Sequence, residues 1–226
     1  MSFMVIDTEG TDVFRHKNPD GSVARSDEPG QPRMAEFAAV LCDDTFEIVE
    51  TFQRYIVPIG WMKLGFNMQE EPMLEMPTEA LKVNGLTFEF LHANGVPVRE
   101  ALEYFSNRIR GRALLGFNQQ HDGRQMRGEL RRAGMPDLFE ETPSVCAMRS
   151  ITTNYKGKVK KLNGKGGFPR LIDAAAHFGV PGYEKEERHK ALEDAMATVF
   201  IAKCLHEMGL LLPAEVHRHK GLETEA

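Results

Sequence analysis

The run FMVIDTEG, residues 3–10, places four apolar side chains in front of two carboxylates, Asp7 and Glu9. Side chains alternate faces along an extended chain, so a strand continuing through residues 3–9 points Asp7 and Glu9 to the same side. Like charges held on one face repel, and the natural counter-ion for clustered carboxylate oxygens is a hard divalent cation. The other reading ends the strand at Ile6 and makes DTEGTD a polar turn rich in Asp, Thr and Gly. These residues alone leave both readings open, and the remainder of the chain has to decide.

The whole chain is 226 residues long and 42% hydrophobic, enough for one sizeable core. The expectation is one domain over 1–226, with an irregular insertion at about 12–33, a basic loop at about 154–167 and a polar tail from about 213. A formal net charge of −5 argues against a protein that coats nucleic acid through overall basicity, although a local basic stripe is hidden in such a sum. Cys42, Cys146 and Cys204 are an odd set without CxxC spacing, which points to reduced thiols and no zinc site. With no apolar run long enough for a bilayer and no charged lead before an apolar stretch, the expected location is cytoplasmic, with no membrane partner.

Strand signals recur at MAEFAAVLCD and ETFQRYIVP, read as an antiparallel pair beside the first strand. The Met- and Pro-rich residues 59–77, with the single Trp61, read as an irregular excursion with at most short helices. Helical spacing follows in PTEALKVNG, starting at Thr78 and stopping at Gly85, and in PVREALEYFSNRIRG. ALLGFN reads as a short buried strand feeding the helix DGRQMRGELRRAG, which is the rhythm of a parallel α/β unit. PSVCAM is a candidate last strand; FPRLIDAAAHFG and KALEDAMATVFIAKCLHEMG read as helices closing on Gly179 and Gly209.

Three more residues join the first carboxylates: Asp122 in GFNQQHDGRQM, and His189 and Asp194 in RHKALEDAMAT. Taken singly, Asp122 suits a helix N-cap and Asp194 an exposed helix face. Taken in order, Asp7-Thr8-Glu9, then Asn118 followed by Asp122, then His189-Lys190-Ala191 with Asp194, the chain resembles the DEDDh 3′–5′ exonucleases. That family has an RNase H-like fold and includes polymerase proofreading subunits, RNase T and oligoribonuclease. The similarity also spans RMAEFAAVLCDDTFEIVETFQRYIVP and TEALKVNGLT. Family members usually carry Thr where this chain has Gly10, His where it has Asn84, and Phe where it has His121.

The resemblance implies an α/β fold with a central mixed β-sheet flanked by α-helices. It further implies a metal-dependent exonuclease acting at the 3′ end of single-stranded DNA or RNA and releasing nucleoside 5′-monophosphates. Two Mg²⁺ or Mn²⁺ ions about 4 Å apart generate a nucleophile from water and stabilise the leaving oxygen in such chemistry. Asp7, Glu9, Asp122 and Asp194 would hold them as hard oxygen ligands. His189 is the general-base candidate, since an imidazole exchanges protons near neutral pH. Five residues turn an ideal helix through roughly 140°, so His189 and Asp194 cannot share a helical face, and His189 belongs on the lead-in to the helix. Thr8, Gly10, Asn84 and Asn118 are expected at the substrate, and Lys158, Lys160 and Lys161 in a Gly-rich loop at its phosphates.

Arg124, Arg127, Arg131 and Arg132 on the helix after Asp122 could also meet phosphates, or simply make a solvated face. Partners implied are a single strand with a free 3′ end and, beyond it, a homodimer or a polymerase or replication partner. The rival activities are an oligoribonuclease-like or RNA-trimming enzyme and a non-catalytic nucleic-acid-binding or polymerase-associated module.

Overall fold

A computed structural model of the chain describes residues 1–18, 20–65, 69–155, 158–159, 167–183 and 190–216. The strand that opens the sequence runs the full length of its quoted stretch, β1 (Phe3–Gly10), so the carboxylates belong to the strand and not to a turn. It is followed by β2 (Met34–Cys42) and β3 (Ile48–Tyr55). Within residues 59–77, expected to be irregular, β4 (Met62–Leu64) and β5 (Glu70–Pro72) instead pair antiparallel. Three helices come next: α1 (Thr78–Asn84), α2 (Phe88–Asn94) and α3 (Val98–Arg108). They lead to β6 (Ala113–Gly116), α4 (Gln119–Arg132) and β7 (Ser144–Cys146). A short 3-10 turn at Leu138–Glu140 precedes β7, and helices α5 (Ala147–Asn154), α6 (Leu171–Phe178) and α7 (Ala191–Glu207) follow it.

The main sheet has the order β3-β2-β1-β6-β7. β1 pairs antiparallel with β2 and parallel with β6, and β6 pairs parallel with β7. The sheet is therefore mixed and helices cover both faces, as expected. Alternation along the strands divides the core. Met4 and Ile6 of β1 join Phe37, Ala39 and Leu41 of β2 in packing against Leu102 and Phe105 of α3 and Met126 and Leu130 of α4. Phe3 and Val5 join Val40 and Cys42 against Ala195, Val199 and Ala202 of α7. Small residues on α7 let it lie close to the sheet. Phe105 and Met126 are fully buried, where truncation to Ala costs about 2–5 kcal/mol.

Extending this alternation, Asp7 and Glu9 fall on the α7 face and Thr8 on the α4 face. The apolar part of β1 thus anchors the strand, and its last residues carry polar groups to the sheet's end between the first turns of α4 and α7. The insertion at 12–33 departs from this end of β1. It returns at Arg33, whose carbonyl accepts the Thr11 N–H at 3.0 Å. None of the described helices is long and apolar enough to cross a membrane.

The insertion is bound to α4 through the arginines read from the sequence as either phosphate contacts or a solvated face. Arg124 donates to the carbonyls of Arg15 and Ala24, and Arg132 to those of Ser26 and Pro32. Arg127 and Arg131 pair with Asp137 beyond the helix, and Arg131 also reaches Asp27. These guanidiniums fasten a loop and a turn to the helix and do not make a free solvated face. For Arg124 and Arg132 the loop's carbonyls are the acceptors, and a loop's approach to a helix leaves no periodic trace in sequence.

Candidate active site

The end of β1 gathers carboxylates from three elements. Asp7, Glu9 and Asp194 each offer an oxygen, and these oxygens lie within 4.8 Å of one another. Glu9 and Asp194 are buried and Asp7 half-buried. Two of the three come from strand alternation; the third comes from the first turn of α7. Asp122 approaches from the opposite side, in the first turn of α4, and is 3% exposed. Its Oδ1 accepts both the Thr8 N–H at 3.0 Å and the Thr8 hydroxyl at 2.9 Å. Thr8 therefore fastens the start of α4 to the strand that carries Asp7 and Glu9, and its hydroxyl is engaged within the protein.

A fifth carboxylate, which the sequence motifs do not mark, belongs to the same cluster. Glu36 on β2 is the cross-strand neighbour of Glu9 and is 1% exposed. It accepts hydrogen bonds from the Gln53 amide and from the backbone N–H of Ala191, the first residue of α7. The available signal was a lone acidic residue inside the apolar run MAEFAAVLC. Tyr183 is a second addition: its hydroxyl donates to Asp194 Oδ1 at 2.6 Å. No pattern in the sequence marks it.

Electrostatics follow from this crowding. Burial first, and then the charges of Asp122, Asp194, Glu9 and Glu36, hold the Asp7 carboxyl well above the usual carboxylate range. Burial raises Asp122 to about 6, opposed by the nearby His121 and by the hydrogen bonds from Thr8. Burial raises Glu36 too, against the hydrogen bonds it accepts and with help from the charge of Asp194. Burial and the carboxylate of Asp194 push the Tyr183 phenol upward, so it stays a donor. Such an array is stabilised by a cation. Its donors are all carboxylate oxygens, which suit hard divalent ions such as Mg²⁺ or Mn²⁺.

The remaining expected residues are distributed around this cluster. Asn84 is buried and spent on the protein, its Nδ2 donating to the Gly10 carbonyl at 3.2 Å and its Oδ1 accepting the Leu86 N–H at 2.9 Å. Gly10 sits where a Cβ would lie 3.1 Å from Gln125 Oε1, so the end of β1 is closely covered. Asn118 is exposed at the N-cap of α4, and its side chain makes no capping bond. Lys158 is exposed. His189, Lys160 and Lys161 lie outside the described residues. His121 meets Phe14 of the insertion edge-on, with ring centroids 5.5 Å apart, so the insertion reaches the residue next to Asp122.

No protein-family model matches the sequence, and no curated protein sequence matches it significantly. In structure the chain has an RNase H-like fold. Among solved structures, it is similar to E. coli Exonuclease I in complex with a dA16 oligonucleotide, at 18% identity and a TM-score of 0.63 over 91% of this chain and 41% of that one. The zinc-ion-bound form of the E. coli Exonuclease I–single-stranded DNA complex matches at 17% identity and a TM-score of 0.64, over 91% and 40% of the two chains. A moderately thermophilic Exonuclease I from Methylocaldum szegediense matches at 19% identity and a TM-score of 0.60, again over 91% and 40%. The chain spans about two-fifths of the length of these proteins.

Proposed function

We propose that this chain is a divalent-metal-dependent 3′–5′ exonuclease of the DEDDh type, hydrolysing single-stranded nucleic acid to nucleoside 5′-monophosphates. The observation that carries this reading is the convergence of Asp7, Glu9 and Asp194 within 4.8 Å, with Asp122 tied to the intervening Thr8, on this fold. The structural likeness to Exonuclease I complexes with DNA oligonucleotides supports single-stranded DNA as the first substrate to test.

In this reading Asp7, Glu9, Asp122 and Asp194 hold two Mg²⁺ or Mn²⁺ ions, which supply a nucleophile from water and charge stabilisation at the leaving oxygen. The chain's own residues do the rest. Tyr183 and Glu36 orient Asp194, the first through its carboxylate and the second through the start of α7. His189, just ahead of α7, accepts the proton of the attacking water. Gly10, Asn118 and the strand end at Thr8, with Asn84 supporting it, flank the terminal nucleotide, and Lys158, Lys160 and Lys161 meet upstream phosphates.

The deciding assay uses labelled single-stranded DNA, single-stranded RNA and a very short oligoribonucleotide, with Mg²⁺, with Mn²⁺ and with EDTA. The expected outcome is metal-dependent release of 5′-monophosphates from the 3′ end of the DNA. Preference for the short oligoribonucleotide would assign the RNA role, and binding without cleavage in any metal would leave a binding module.

A further inference from the structure

A second cavity, of about 430 Å³, lies on the outer side of α4, separate from the carboxylates. The insertion roofs it with His16, Ala24 and Arg25, α4 forms its floor, and the β7–α5 junction closes it. Its lining holds five arginines, Arg25, Arg124, Arg127, Arg131 and Arg149, and no carboxylate. Arg124 is two residues beyond Asp122, roughly 200° around the helix, so the two sites use opposite sides of one turn.

The charges in this cavity are only partly balanced. Asp27 pairs with Arg25 and Arg131, Asp137 with Arg127 and Arg131, and Glu140 with Arg127. Arg124 and Arg149 have no carboxylate partner among the described residues: Arg124 donates to two carbonyls and to His16, and Arg149 to Gln120 Oε1 at 3.3 Å. Five cations against three anions leave an excess of about two, the charge of a phosphate monoester near neutral pH. The rest of the lining includes Val23, Ala24 and Phe139, whose ring is stacked on Phe105 with centroids 5.2 Å apart. A concave site of roughly 300–1,000 Å³ with an apolar side and a few convergent polar groups is the form small-molecule sites take.

We propose that this cavity binds a nucleoside 5′-monophosphate, the phosphate at Arg124 and Arg149 and the base against Val23 and Phe139. The size admits one nucleotide, the excess charge matches a monophosphate better than a triphosphate, and the aromatic wall gives a base a surface to lie on. The site exists because the insertion is fastened across α4. The assignment does not depend on the acidic cluster or on catalysis.

The test is isothermal titration calorimetry of the full chain in EDTA, with AMP, adenosine and inorganic phosphate as separate probes. The expected result is one AMP per chain, bound more tightly than either adenosine or phosphate. Arg149→Glu, a change at an exposed residue, should weaken AMP binding by about tenfold or more, as loss of a charge-assisted hydrogen bond does. Arg110→Glu, the same charge change at an exposed residue outside the cavity, should leave it unaltered. No AMP binding, phosphate binding as tight as AMP, or equal weakening by both variants would overturn the proposal. A protein that binds AMP in this way but degrades no strand would overturn the exonuclease reading alone.

Discussion

Glu36 lies directly across from Glu9 in the β1–β2 register, and its carboxylate accepts the N–H of Ala191 where α7 begins. One buried side chain thus connects the strand that supplies two carboxylates to the helix that supplies Asp194. Removing the carboxyl in Glu36→Ala leaves the Ala191 N–H without its acceptor and the Gln53 amide with only the Tyr55 hydroxyl at 3.4 Å, at a cost of about 1–3 kcal/mol. Residues that orient metal ligands typically change metal affinity by about 10- to 100-fold when removed. Glu36→Ala should therefore weaken Mn²⁺ binding by at least about tenfold, and Glu36→Gln, which keeps an acceptor, by less. Calorimetric Mn²⁺ titrations that are identical in the parent and both variants would refute this coupling.

The crowded carboxylates also set a pH dependence for the metal-free protein. Asp122 rises from its usual 3.8 to about 6 on folding, and Asp7 moves in the same direction. A carboxyl with a raised pKa binds its proton more tightly when folded, so stability falls as pH rises from about 4 through about 6. Every tenfold gain in proton affinity on folding is worth about 1.4 kcal/mol. In EDTA, the melting temperature of the parent should fall across this window, and Asp7→Asn should flatten the fall and melt higher than the parent at pH 7. Mn²⁺ should restore the parent at pH 7 and help the variant less. Parallel melting curves for the two proteins across the window would contradict the assignment.

The elements that were legible in the sequence are those whose side-chain period repeats long enough to read. FMVID was read as the first strand, with its continuation through Glu9 left open, the helical period predicted α3 and α7, and Gly85, Gly179 and Gly209 end helices with positive φ. The period failed where elements are short. The paired strands β4 and β5 have three residues each, too few to distinguish alternation from irregularity. α2 was not read as a helix, and PSVCAM, read as a strand, holds β7 but passes directly into α5 at Ala147, which was not read. In the candidate site, Asp7, Glu9, Asp122 and Asp194 were marked by the family resemblance, and the structure brings Asp7, Glu9 and Asp194 together. Glu36 and Tyr183 were not marked, because each reaches the cluster through tertiary packing. The partners of the α4 arginines were not legible for the same reason: Arg124 and Arg132 donate to carbonyls about a hundred residues away in sequence, as in the Arg124–Ala24 bond, while Arg127 and Arg131 pair with Asp137 across a turn.

Gly128 offers a test of how the insertion is held. A Cβ at this position of α4 would lie 2.7 Å from the Ser26 carbonyl oxygen, closer than packing allows. The Ser26 carbonyl also accepts from Arg132 at 2.8 Å, so the helix and loop are in direct backbone contact here. Gly128→Ala gains about 1 kcal/mol of helix propensity but must displace the loop, with overpacking costing about 1–3 kcal/mol. The net expectation is little change in global stability with faster limited proteolysis within residues 12–33. Cleavage at the parent's rate would show that the loop accommodates the methyl group in place.

His189 distinguishes catalysis from binding most sharply. In the sequence it lies two residues before Ala191, the first residue of α7, whose first turn presents Asp194. If it accepts the proton of the attacking water, His189→Ala should lower turnover by about a hundredfold or more while substrate affinity changes little, since proton transfer typically contributes at least this much. The carboxylates are untouched, so Mn²⁺ affinity should remain that of the parent. The acid limb that an imidazole near pH 6.5 imposes on the rate should also disappear in the variant, provided chemistry limits turnover. Parent and variant are compared on the same single-stranded DNA from about pH 5.5 to 8.5, a range that spans the ordinary imidazole titration. Equal rates with the same acid limb would remove the histidine from proton transfer and leave the carboxylates acting with another base.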